Sequence, residues 1–189
     1  MITPNRLVRY FKSFTSIVLV FLEHDCFQEA KDVAQSIFST ISSTFDVLQQ
    51  LDQPLIDGYV DTIICLETFS TDRESLLERF LVPLFPHMTF YQQCCLLMDI
   101  QDNSYRLTQS PSVVDILKRM SHIQLRRGFC NSTGVLEMVD EVVSFYINIG
   151  DREILKMFVD SVFWRLKISG TTGLKQSSNR RLIQLLLQT

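Results

Sequence analysis

The stretch TDRESLLERFLVPLFPHMTFYQQCCLLMDI, residues 71–100, holds the signal that decides the fold. It contains two capping boxes, Thr71-x-x-Glu74 and Thr89-x-x-Gln92. In each, a hydroxyl can accept a free N–H of the first helical turn while the Glu or Gln side chain reaches back to the cap residue. Apolar residues follow each box at helical spacing: Leu76, Leu77, Phe80 and Leu81, then Phe90, Leu96, Leu97 and Ile100. Pro83 and Pro86 close the first helix, because proline lacks the donor and restricts the residue before it.

Outward from this stretch the same device recurs. Thr3-Pro4 and Ser110-Pro111 place a cap before a proline at the first helical position. Asp25-x-x-Gln28 is a third box, Asp52 precedes Gln53-Pro54, and Ser132, Asp151 and Ser178 open further runs. The nine starts lie 18 to 27 residues apart. Between them the apolar residues keep helical period: Phe11, Phe14, Val18 and Phe21 in the first helix, Ala30, Val33, Ala34, Ile37, Ile41, Phe45 and Leu48 in the second. Helix three buries Tyr59, Ile63, Leu66 and Phe69. Helix six buries Val113, Val114, Leu117 and Met120, helix seven Val142, Val143 and Tyr146, and helix eight Leu155, Phe158 and Val162. Gly150 and Gly170 are the stops of the last two.

This pattern predicts an all-α fold of about nine helices in antiparallel hairpins, an α-solenoid or a compact bundle. Residues 1–170 form one helical-repeat domain; residues 171–189 form a flexible joint and a C-terminal apolar helix, a docking element. Taken two at a time, the cap distances run from 37 to 49 residues. The chain resembles HEAT and armadillo repeats in that spacing and in helix pairing, over most of its length. The likeness is to an architecture. It implies a scaffold that binds other proteins through helical faces.

Composition agrees. Apolar residues make up 46% of the 189 and charged residues 21%, with 6 Gly and 5 Pro. Such a chain can bury a core, and its few breakers suit helices with tight joints. The net charge of -3 divides into -7 over residues 1–100 and +4 over residues 101–189, a polarity that can steer a partner. Five cysteines (Cys26, Cys65, Cys94, Cys95, Cys130) show no C-x-x-C spacing and point to a reducing compartment, nucleus or cytoplasm. The first 22 residues are basic, with an apolar run from Ile17 to Leu22. That run is too short to span a bilayer and has the wrong flank for a signal peptide, and a mitochondrial presequence is the lesser reading.

No catalytic motif emerges, and no cofactor or metal is expected. His24, His87 and His122 lie far apart, without ligand spacing, at what read as joints or helix ends. Asp57/Asp61 and Glu137/Asp140/Glu141 read as solvated faces, and Cys94-Cys95 lacks a neighbouring cation to activate a thiol. Two features stand above this background. Lys118, Arg119, Arg126 and Arg127, joined by Arg180 and Arg181, form a basic patch, although cations at a helix C-terminus are routine. The tail residues Leu182, Ile183, Leu185, Leu186 and Leu187 place five apolar side chains in a run of six, too many for one buried stripe. The expected role is a non-catalytic scaffold or adaptor with protein partners, hetero- or homo-oligomeric through the tail. The alternative is a nucleic-acid-associated module using the basic rear half.

Overall fold

The computed structural model describes residues 4–43, 45–70, 74–105, 107, 113–127 and 139–169. Among them there is no strand. Eight α-helices follow in order: α1 (Pro4–Glu23), α2 (Phe27–Ser42), α3 (Gln53–Phe69), α4 (Leu76–Phe80), α5 (Phe90–Asp102), α6 (Val113–Arg127), α7 (Val139–Ile149) and α8 (Arg152–Ser169). Two 3₁₀ turns, Phe45–Gln50 and Phe85–His87, lie between them. The expected starts at Thr3, Thr71, Ser110, Ser132 and Ser178, and the stop at Gly170, lie outside the described residues.

The helix ends explain the joints. Thr89 and Gln92 form the predicted box: Gln92 N–H donates to Thr89 Oγ1 at 3.2 Å, and Thr89 N–H donates to Gln92 Oε1 at 2.9 Å. Asp151 caps α8, its Oδ1 accepting from the N–H groups of Glu153 (3.0 Å) and Ile154 (3.2 Å). Gly150 precedes it with φ +66°, the left-handed stop expected of a glycine there.

Three expected boundaries differ. Asp25 does not cap α2; it ends α1, with φ +58°. Its N–H donates to Leu22 O at 3.2 Å and the Cys26 N–H to Phe21 O at 2.8 Å, which satisfies the last carbonyls of α1. Cys26 is then the N-cap of α2. Helix α4 opens at Leu76, later than a start at Thr71-x-x-Glu74 implies, and its cap is borrowed. Glu67 of α3, 8% exposed, accepts the Leu76 N–H at 2.5 Å. Finally, the seam of helix two does not reach Leu48. Ser42 and Ser43 bond back to Ser39 O and Thr40 O, the helix ends, and Phe45–Gln50 forms its own turn.

Packing follows chain order. α1 lies on α2 and α3, α3 on α4 and α5, α5 on α6 and α7, and α8 on α6 and α7. One apolar core runs through the stack, from Phe11 to Phe158. Tyr59 of α3 sits between Phe11 and Phe14 of α1, ring centroids 5.4 and 5.3 Å away, and Phe38 of α2 meets Phe80 of α4 at 5.5 Å. At the far end Tyr146 stacks on Phe158 at 4.4 Å. Phe69 and Val114, expected inside, face solvent, while Ile116 is buried. Buried amides tie the irregular pieces to this core. Gln92 Nε2 donates to Leu48 O (3.3 Å) and Leu51 O (3.2 Å), and Gln93 Nε2 donates to Phe85 O (2.7 Å).

The two left-handed stops give opposite expectations. Asp25→Gly should raise the urea-unfolding free energy by roughly 0.5–1 kcal/mol, because glycine adopts positive φ without the Cβ penalty. Gly150→Ala should lower it by about 1 kcal/mol or more for the same reason. Chemical denaturation of the two variants checks both signs.

Candidate functional site

The basic strip is partly consumed by the fold. Lys118 Nζ lies 3.0 Å from Asp151 Oδ2, and Arg119 reaches Glu78 Oε1 of α4 at 2.8 Å. The Lys118 contact holds the Asp151 carboxyl below its usual range, helped by the Ile154 N–H. Arg126 is exposed near the end of α6, and Arg127 is the last residue of that helix. Arg180 and Arg181 lie outside the described residues, as do the tail residues Leu182, Ile183, Leu185, Leu186 and Leu187.

Acidic side chains gather where α3 crosses α5. Asp57 and Asp61 stand one turn apart on α3, and Asp99 of α5 lies within reach of both charges and of Asp102, one turn farther along its own helix. Asp99 is pushed from its ordinary 3.8 up to about 7, chiefly by burial and then by the charges of Asp57, Asp61 and Asp102. Burial also raises Asp57, against a hydrogen bond from Gln53 Nε2 at 2.5 Å. Asp57 and Asp99 are thus half-buried and not a freely solvated face. A hollow of about 320 Å³ lies at the α7 end of this seam, between Met98 and Asp102 of α5 and Glu141, Phe145 and Asn148 of α7.

The thiols beside the seam are held protonated. Burial pushes Cys94 up to about 12 and Cys95 up to about 11, with the Asp57 and Asp99 charges adding to the latter. Cys94 Sγ accepts from Gln124 Nε2 at 3.3 Å, and the Tyr146 hydroxyl donates to Gln124 Oε1 in the same buried cluster. These are poor nucleophiles. His24 follows α1 and His87 lies in the second 3₁₀ turn, but His122 falls inside α6 and not at a joint. Among the described residues no three His, Cys, Asp or Glu side chains, those of the seam included, stand so that they could hold a metal ion. No helix among them is long and apolar enough to cross a membrane.

The third region was legible only by a rule applied elsewhere. Ile17 to Leu22 is six apolar residues in succession, and on a helix such a run cannot face one core. In the structure Phe14 and Val18 point inward, while Tyr10 (46% exposed), Ile17 (44%), Leu19 (44%) and Val20 (53%) point out. Seven large apolar side chains are exposed among the described residues, and four of them belong to this one helix. Beside Leu19 the surface dips into a groove of about 440 Å³ between α1 and α3, walled by Thr15, Gly58, Asp61 and Cys65. Gly58 lines this groove, and its carbonyl accepts from Thr62 Oγ1 (2.6 Å) and Thr15 Oγ1 (3.3 Å).

No protein-family model, no curated protein and no solved structure matches the chain.

The seam has a pH signature. Ionising Asp99 is harder in the folded than in the unfolded chain, so its penalty is absent below about pH 4, grows towards pH 7 and is complete above it. Asp99→Asn should therefore stabilise the fold more at about pH 8 than at about pH 5. Urea titrations at the two values test this; an equal effect would contradict it.

Proposed function

We propose that this chain is a non-catalytic protein–protein interaction module, a helical scaffold or adaptor that works as a subunit of a complex. The observation that carries the reading is the set of exposed apolar side chains in the second half of α1, Ile17, Leu19 and Val20. Single exposed apolar residues are ordinary, but in α1 Ile17 and Val20 stand one turn apart on the outer side, Tyr10 lies on the Ile17 flank two turns earlier, and Leu19 is exposed at the α3 groove. A stack of helices normally ends on a polar face. Here the helix that opens the described stack keeps apolar side chains outside, as a face meant for cover would.

The Leu182–Leu187 segment is, in this reading, a further docking element. A nucleic-acid role would have to rest on Arg126, Arg127, Arg180 and Arg181, since Lys118 and Arg119 already face carboxylates. The interaction reading is the better supported of the two.

Native purification of the tagged full chain, followed by sizing and mass spectrometry, tests the proposal. A protein partner at constant molar ratio across the eluted peak is the expected result. Elution as a bare monomer, or with nucleic acid alone, would overturn it.

A further inference from the structure

Along the outermost line of α1 the residues at alternating four- and three-residue steps are Arg9, Ser13, Ser16 and Val20, all exposed. Lys12 and Ile17 flank that line and are exposed too. The row thus changes character along the helix axis. It is cationic at Arg9 and Lys12, small at Ser13 and Ser16, and apolar at Ile17 and Val20. Neither Arg9 nor Lys12 has an ion-pair partner among the described residues, whereas Lys118 and Arg119 of α6 each have one. No acidic residue occurs before Glu23. The Ser16 hydroxyl bonds back to Lys12 O at 3.3 Å, so it asks nothing of a partner.

Resting on the proposed interaction role, we infer that this face docks an amphipathic helix of a partner protein whose apolar stripe runs into a cluster of carboxylates. The apolar stripe covers Ile17 and Val20. The carboxylates meet Arg9 and Lys12, and not the opposite end, where Glu23 and Asp61 would repel them. Small residues at the middle of the row let a second helix approach closely, and residues three and four apart form the ridge it packs against. An anionic bilayer fits less well. Interfacial helices place their apolar face in lipid and their cations on the other face, along the length. The inner face of α1 (Phe11, Phe14, Val18) is committed to the core.

Photo-crosslinking in cells tests the inference. A photoreactive phenylalanine derivative replaces Val20 in the full chain, and in a second variant it replaces exposed Lys156 on α8. The expected product is an adduct at Val20 with a partner peptide that carries Asp or Glu next to apolar residues at helical spacing. Arg9→Glu with Lys12→Glu should lower the adduct yield about tenfold, since like charges across an interface are strongly disfavoured, while the circular dichroism stays unchanged. Adducts at Val20 with lipid, with a second copy of this chain or with a segment lacking carboxylates would overturn the inference. So would a yield insensitive to the double reversal. Protein adducts at Lys156 alone would overturn this surface and leave the interaction role standing. No protein adduct at either position, together with a monomeric chain in the purification, would remove both.

Discussion

A short helix in a stack has a recurring problem: its terminal N–H and C=O groups lie near apolar neighbours and must still be satisfied. Gln92 shows how this chain meets it. One side-chain amide accepts the Thr89 N–H through its oxygen and donates through its nitrogen to the carbonyls of Leu48 and Leu51. The start of α5 and the end of the first 3₁₀ turn are therefore solved by the same group. Beside it Gln93 serves Phe85 O, and farther along Glu67 serves the first amide of α4. Unmade, each of these bonds would leave a buried polar group at a cost of about 1–3 kcal/mol. The irregular joints are possible because long polar side chains from regular helices reach into them.

Charge obeys the same economy in some places and not in others. Two cations of α6, Lys118 and Arg119, are met by the Asp151 and Glu78 carboxylates, and they serve the architecture. The seam between α3 and α5 instead collects carboxylates that raise one another, and the outer row of α1 keeps cations that nothing described in the fold answers. The joints are answered by buried amides such as Gln92 and Gln93, whereas α1 leaves charge and oil side by side at its surface.

Much of the architecture could be read from local pattern. Helical period and caps identified the all-α class, the box at Thr89, the cap at Asp151 and the stop at Gly150. The failures were physical. Asp25 is chemically fit to be either an N-cap or a left-handed stop, and only the backbone of α1 decides between them. The start of α4 depends on Glu67, nine residues upstream and on another helix, which no local pattern registers. The end of α2 is marked by Ser42 and Ser43 bonding back on the last turn, which an apolar period running on to Leu48 conceals. For the candidate site, Asp57 and Asp61 could be paired by spacing, whereas Asp99 joins them only through the crossing of α3 and α5. The partners of Lys118 and Arg119 were likewise hidden by sequence distance. The apolar run in α1 is in plain view; the inner stripe accounts for Val18 and Phe21, while the excess at Ile17, Leu19 and Val20 shows only once the helix is seated.

The seating of α1 on α3 carries one more implication. Its directional bonds to that neighbour are two long hydroxyl contacts at Thr15, one donated to Gly58 O (3.3 Å) and one accepted from Thr62 Oγ1 (3.4 Å), and the Tyr59 phenol lodged between Phe11 and Phe14 has no hydrogen-bond partner among the described residues. Ring and methyl surfaces do most of the holding, and such surfaces tolerate small sliding. An arriving rod would therefore meet a compliant neighbour, able to rotate slightly to improve the fit while straining only those two long contacts.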